Sequence, residues 1–373
     1  MSDQPAGSGS PSGTSEFAAG ADVPFGGKGM SRKRIIITTI VGIVVMVGVF
    51  ALLLPQVGSY EQAFAELGDM EWGWVVALIV ACVVNLALYP FTVLVSVDGL
   101  GYWHGFVERQ TGFLISCAIP GGGVFAVGAQ YRILSGYGVP PSRSAAAVAA
   151  DAIWTYLLTL SLPALGVLLL VIDGRGTAGY LSIAILGLLA VGISILVIIT
   201  VLRSESGARR VGRLGERLIG PIGRRLGRPD IDLTTPLVRF RDQANELATK
   251  RWGHLTITNF VAQTTPFLVL VCALGGLHAF DGDLSLAEVF AAYSIALLLV
   301  SIPITPGGLG TVDAALVALL IAFGLPGPQA VAADLLWRLV WFLPQILTGL
   351  ASLVTHLVHE HRKTVRSGGI VHP

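Results

Sequence analysis

Thr305-Pro306-Gly307-Gly308-Leu309-Gly310, followed by Ala330-Val331-Ala332-Ala333-Asp334-Leu335-Leu336-Trp337, is the stretch on which the fold turns. Proline and paired glycines break a helix, and the alanine run then builds another one. The same order occurs earlier, as Ile119-Pro120-Gly121-Gly122-Gly123 followed by Ala147-Val148-Ala149-Ala150-Asp151-Ala152-Ile153-Trp154. Each copy is followed by a helix proline, Pro163 or Pro344. Ala-rich membrane helices can generate part of this by chance, so a duplication is an expectation for the structure to test. Paired Gly/Pro-interrupted segments in two halves of an apolar chain point to a transport site near the bilayer midplane.

Working outward, the 373 residues are 53% hydrophobic and 13% charged, against about 25% charged in soluble domains. The apolar surplus has to face lipid. Uncharged runs recur at Ile35 to Leu54, Trp72 to Val97, Ala152 to Ile172, Gly176 to Leu202, Leu255 to Leu277, Val289 to Val312 and Leu339 to Thr355. Such runs approach or exceed the ~20 residues that cross a ~30 Å hydrocarbon core. The expected fold is an all-α integral membrane protein of about eight transmembrane helices, with proline/glycine-broken re-entrant segments and a weak two-fold internal repeat. Residues 1–30, rich in Gly, Ser, Pro and Ala, read as a disordered tail. Residues 31–360 form the membrane domain, 203–253 a basic loop within it, and 361–373 a short tail.

Half of all Lys and Arg lie between Arg203 and Arg251, which places that loop in the cytoplasm by the positive-inside rule. Arg32 to Arg34 and the tail residues His361, Arg362, Lys363 and Arg366 join it, so both termini are expected to be cytoplasmic in a multi-pass plasma-membrane protein. Glu61, Glu66, Asp69, Glu71, Asp281 and Asp283 fall outside. An odd number of apolar segments cannot satisfy two inside ends, so one must fail to cross. Thr111 to Tyr131, carrying the first Pro-Gly break, is the candidate. No aromatic residues interleave with the arginines, so nucleic acid is not expected as a partner. Cys82, Cys117 and Cys272 sit in apolar stretches and read as small core residues.

At Pro306-Gly307-Gly308-Leu309-Gly310-Thr311-Val312-Asp313 the chain resembles the transmembrane, flippase-like domain of lysylphosphatidylglycerol synthases, with Asp313 where glutamate is usual. Gly128, Gln130 and Arg132 lie in a looser first-half counterpart. The resemblance implies a standalone flippase-like protein, without the aminoacylating domain, that moves an anionic phospholipid or a polyprenyl-linked lipid between leaflets. It leaves open a homo-oligomer, or a role as an accessory or scaffold subunit of an envelope-lipid pathway.

Buried ionisable groups in membrane segments are costly and mark candidate sites. Arg132, Asp151, Asp313 and the pair Asp334 with Arg338 stand out, the last two at a spacing that allows direct pairing on a helix. Pro306, Gly307, Gly308 and Gly310 either free backbone N–H groups for a phosphate or permit close helix packing. Asp313 either caps the helix that follows or takes up protons. Asn259 and Gln263 make a polar face that serves a pathway or interhelical hydrogen bonds. Gln345 and Thr348 extend the stripe of Asp334 and Arg338. No H-E-x-x-H, nucleotide-binding loop or nucleophile turn is present, so neither an enzyme nor a cofactor is expected. The histidines near the C-terminus read as an interfacial end rather than a metal site.

Overall fold

The computed structural model describes residues 70–118, 122–174, 204–225, 251–301 and 305–367, with a few isolated positions besides. Expectations for residues 1–67, including the tail and the run Ile35 to Leu54, and for most of Gly176 to Leu202, lie outside the described residues. All regular structure among the described residues is helical. We number the helices α1 Trp72–Leu88, α2 Phe91–Leu94, α3 Tyr102–Ala118, α4 Gly122–Gly136, α5 Pro141–Ile172, α6 Glu205–Arg225, α7 Trp252–Gly276, α8 Leu286–Leu298, α9 Thr311–Ala322, α10 Gly327–Trp337 and α11 Leu343–Ser367. A π-helical turn, Arg338–Phe342, joins the last two.

Among the described residues, four stretches are long and apolar enough to cross a bilayer: Trp72–Leu94, Pro141–Ile172, Trp252–Gly276 and Gly327–Glu360. Helices α3 and α4 form a hairpin, with His104 at the start of α3 stacked on Tyr137 just after α4, ring centroids 4.1 Å apart. Thr111 to Tyr131, expected to re-enter, falls within this pair of helices. The run Val289 to Val312, expected to cross, also turns back. Helix α8 ends at Leu298, and α9 begins anew at Thr311. Gln329, just beyond α9, donates to the carbonyl of Leu277, just before α8. Arms of 12–17 residues reach about 18–26 Å at ~1.5 Å per residue, less than the ~30 Å core.

Each half therefore has one order: a spanning helix, a broken hairpin, and a long spanning helix carrying the Ala-rich aspartate-tryptophan segment. The hairpins even end alike. Val139 N–H bonds Leu134 O and Gly138 N–H bonds Ser135 O, while Leu325 N–H bonds Leu320 O and Gly324 N–H bonds Ile321 O. This is the 6→1 bond that closes a helix with a left-handed glycine beyond it; φ is +86° at Gly138 and +96° at Gly324. Pro140 and Pro326 then start the next helix in the same extended conformation.

The two halves exchange arms. Helix α3 packs on α11, and α8 packs on α5. Both contacts need a glycine at the crossing. A Cβ on Gly349 would lie 2.6 Å from Gln110 O, and one on Gly166 would lie 3.0 Å from Ala291 Cα. Both glycines stand twelve residues beyond the repeat tryptophan, Trp154 or Trp337. Helices α1 and α7 run antiparallel, with Trp74 of the first against Gly275 near the end of the second.

At one end of the molecule lie Glu71, Asp281 and Asp283; at the other lie Asp98, Arg143, Arg251 and the start of the C-terminal helix end at His356. Arg251 donates to Val95 O and Asp98, and its guanidinium holds the Asp98 carboxyl below the usual carboxylate range. Exposed Trp72 marks the acidic end, and exposed Trp103 and Trp252 the basic one, as interfacial aromatic belts do. Helix α6 keeps Arg209, Arg210, Arg213 and Arg217 exposed.

The close approach at Gly349 has a measurable consequence. Gly349→Ala should lower stability by about 1–3 kcal/mol through overpacking, read as a drop in thermal midpoint in detergent. Gly136→Ala, whose added carbon would meet the side chains of Glu360 at 3.4 Å and His356 at 3.7 Å in ordinary contact, should change little.

Candidate functional site

The end of α3 meets the Pro306–Gly310 break. Cys117, in the last turn of α3, lies so close to Gly307 that a Cβ there would be 3.3 Å from its own. Leu114, Cys117, Leu309, Phe342 and Ile346 form one apolar cluster around this junction. Three glycines shape the second break, with φ of +59° at Gly307, +71° at Gly308 and +81° at Gly310. Left-handed backbone is costly for residues with a side chain, so this loop needs glycine at each. Thr311 Oγ1 donates to Gly308 O, and Gly308 N–H to Thr305 O.

Helix α9 starts at this break, and Asp313 closes its first turn by accepting the Gly310 N–H at 2.6 Å. The capping role expected for Asp313 is present, but it is only half of its function. The other carboxylate oxygen accepts from Arg338 Nε. The direct Asp334–Arg338 pairing expected from their spacing is therefore corrected: the arginine reaches across to the hairpin. Helix spacing specifies which side chains are near neighbours, whereas here a partner on another helix competes and wins. Asp334 keeps electrostatic contact with both, while its Oδ1 and Arg338 Nη2 have no hydrogen-bond partner. Arg338 also lies 5.0 Å from the Trp337 ring and 5.2 Å from that of Phe342.

The first half has its own cluster. Asp151 on α5 pairs with Arg109 on α3, and Arg109 sits 4.5 Å over the Tyr89 ring. Arg132, offered as the first-half equivalent, is part of neither pair; it is half-buried on α4. Arg109 and its neighbour Glu108 went unremarked in the sequence because they fall in a stretch too polar to read as a span. The signal was available: they are the only residues of type Asp, Glu, Lys or Arg between Asp98 and Arg132. Glu108 is 1% exposed and its Oε2 lacks a partner; it interacts with Gln130 on α4.

An aromatic path joins the clusters. Tyr89 meets Phe113 edge-on at 6.3 Å, and Phe113 meets Phe342 at 5.7 Å and Trp341 at 5.9 Å. Trp341 stacks on Trp337 at 5.1 Å. The two buried arginines thus face a common aromatic wall made by both halves.

Asn259 and Gln263 belong elsewhere. Asn259 accepts from Thr155, Gln263 donates to Thr159, and Trp154 donates to Thr256, so these residues sew α5 to α7. Asn85 bridges Thr265 and Gln345, each at 2.7 Å. Thr348 donates to Gln110. Pro266 leaves the Ala262 carbonyl without its helix donor, and the Thr265 hydroxyl supplies one. His356 and His359 rest against the Tyr137 ring; among the described residues no group of three or more potential metal ligands gathers. All three cysteines are free.

A family model described as the lysylphosphatidylglycerol synthase TM region matches residues 39–349. Neither the curated proteins nor the solved structures returned a match.

Proposed function

The chain belongs to the lysylphosphatidylglycerol synthase transmembrane-region family, and from that membership we propose that it carries a phospholipid or lipid-linked substrate between the leaflets of the plasma membrane. It moves lipid and does not modify it. Both termini lie in the cytoplasm in this reading, with the Arg251 end of the membrane domain facing inward.

The observation that carries the proposal is the pair of buried arginines, one in each half, facing a shared aromatic wall where two broken hairpins meet. A lipid headgroup needs polar partners at the depth where lipid tails offer none. Arg338 Nη2 and Arg109 Nε are buried and have no hydrogen-bond partner, and a guanidinium suits phosphate through its planar fork. Two similarly ordered halves supply the remaining requirement, since rocking one against the other opens a central site to either side in turn.

The test is leaflet exchange of labelled phospholipids and of a polyprenyl phosphate in proteoliposomes. Exchange above protein-free vesicles is expected, and Arg338→Lys should reduce it at least about tenfold because a point charge replaces the fork. Folded protein that exchanges no lipid would instead leave the accessory or scaffold reading.

A further inference from the structure

We propose that each half of the protein holds one exchangeable proton, on Asp334 in the second cluster and on Glu108 in the first, and that these protons are the ions to which lipid movement is coupled. The coupling rests on the translocation reading; the two proton sites stand without it.

Both clusters have the same composition, two carboxyl groups and one guanidinium. In the second, Asp313 and Asp334 share Arg338; in the first, Glu108 and Asp151 share Arg109. Each is one negative charge in excess if both acids are ionised. Water does little to dilute that excess, since all six residues are buried, the most exposed side chain being that of Asp313 at 11%. The geometry also says which acid carries the proton. Asp313 has a donor on each oxygen, from Gly310 N–H and Arg338 Nε. Asp151 accepts the Arg109 guanidinium on Oδ2, though its Oδ1 has no partner, so each of these two acids has a hydrogen-bonded cation of its own. Asp334 Oδ1 and Glu108 Oε2 have none, and a buried carboxyl without its own cation is held as the neutral acid.

Among the described residues, Arg338 is the cation that acts on Asp334 and Arg109 the one that acts on Glu108. The charged groups acting on Asp334 among the described residues are Asp313 of α9 and Arg338 of the π-turn, and Trp337 beside it donates to Pro266 O of α7. Glu108 meets Arg109 on its own helix, Asp151 of α5, Gln130 of α4 and the Tyr89 phenol. A proton fits these places better than a metal cation, which needs several oxygen ligands at once. Here the surrounding groups include N–H donors, from the Arg338 guanidinium and Gln130.

The two clusters share composition and not position, since the repeat aligns Asp334 with Asp151 and not with Glu108. The orphan acid precedes the arginine in each half, by one residue at Glu108-Arg109 and by one helical turn at Asp334 and Arg338. A phosphate that draws the arginine from Asp313 or Asp151 leaves two carboxyls facing each other, and proton uptake becomes more favourable at that moment. Headgroup binding and proton binding thus favour one another, and linkage makes the effect reciprocal.

Infrared spectroscopy of the reconstituted protein tests this without any lipid assay. A neutral carboxyl has a C=O stretching band that a carboxylate lacks. Near neutral pH the parent protein should show it, Asp334→Asn and Glu108→Gln should each remove part of it, and Asp334→Glu should keep it. A parent protein without such a band, or a folded double variant with the band intact, overturns the two sites. Coupling is read separately: exchange in vesicles should respond to an imposed pH gradient and lose that response in Asp334→Asn. Exchange indifferent to the gradient refutes coupling and leaves translocation standing.

Discussion

Arg338→Ala is expected to abolish lipid exchange and to cost about 3–5 kcal/mol of stability, the penalty for stripping one partner from a buried ion pair. The size follows from what remains. Asp313 would keep its helix-capping bond from Gly310, but its second oxygen would face Asp334 with no cation between them. The three rings around the guanidinium, Trp337, Trp341 and Phe342, would border a void. Arg338→Met together with Asp313→Asn should recover most of the stability, because a neutral pair of similar volume often does as well as a buried ion pair. It should not recover exchange. Thermal unfolding in detergent beside the vesicle assay separates the two effects. An Arg338→Ala protein as stable as the parent would show that this pair does not hold the hairpin in place.

The second large effect is expected from joining the end of α3 to the Pro306–Gly310 break. With Cys82 and Cys272 replaced, Gly307→Cys would face native Cys117 with Cβ atoms about 3.3 Å apart, near the ~3.5–4.5 Å of disulfide partners. The left-handed backbone at Gly307 makes this substitution strained, by roughly 1–2 kcal/mol, and the Phe342 ring tip at 2.9 Å must give way. The oxidised protein should lose lipid exchange nearly completely and regain it on reduction, since one broken hairpin must part from the other for a headgroup to pass. Exchange undiminished by a bridge shown to have formed would place the lipid route elsewhere, along the outer faces of the hairpins.

Much of the architecture was legible along the chain. The apolar runs at Trp72 to Val97, Ala152 to Ile172 and Leu255 to Leu277 fall in helices long and apolar enough to span, and the second Pro-Gly stretch, Pro306 to Gly310, became a chain break. The aspartate-tryptophan repeat was visible as well, and the structure extends it to the hairpin ends and the glycines Gly166 and Gly349. Hydropathy and glycine-proline punctuation are properties of a short stretch, so a short stretch discloses them.

What the sequence by itself determined is that the chain is a helical membrane protein with several apolar stretches. Only the tertiary structure decided that Val289 to Val312 turns back, that Asp151 answers to Arg109, and that Arg338 answers to Asp313 and not to Asp334. These partners lie 42 and 25 residues apart, beyond any local period. In water, the apolar face of a helix announces which side it buries. Inside a membrane the lipid-facing and protein-facing sides are both apolar, so faces and partners are assigned by close packing at small residues and by buried charges finding one another.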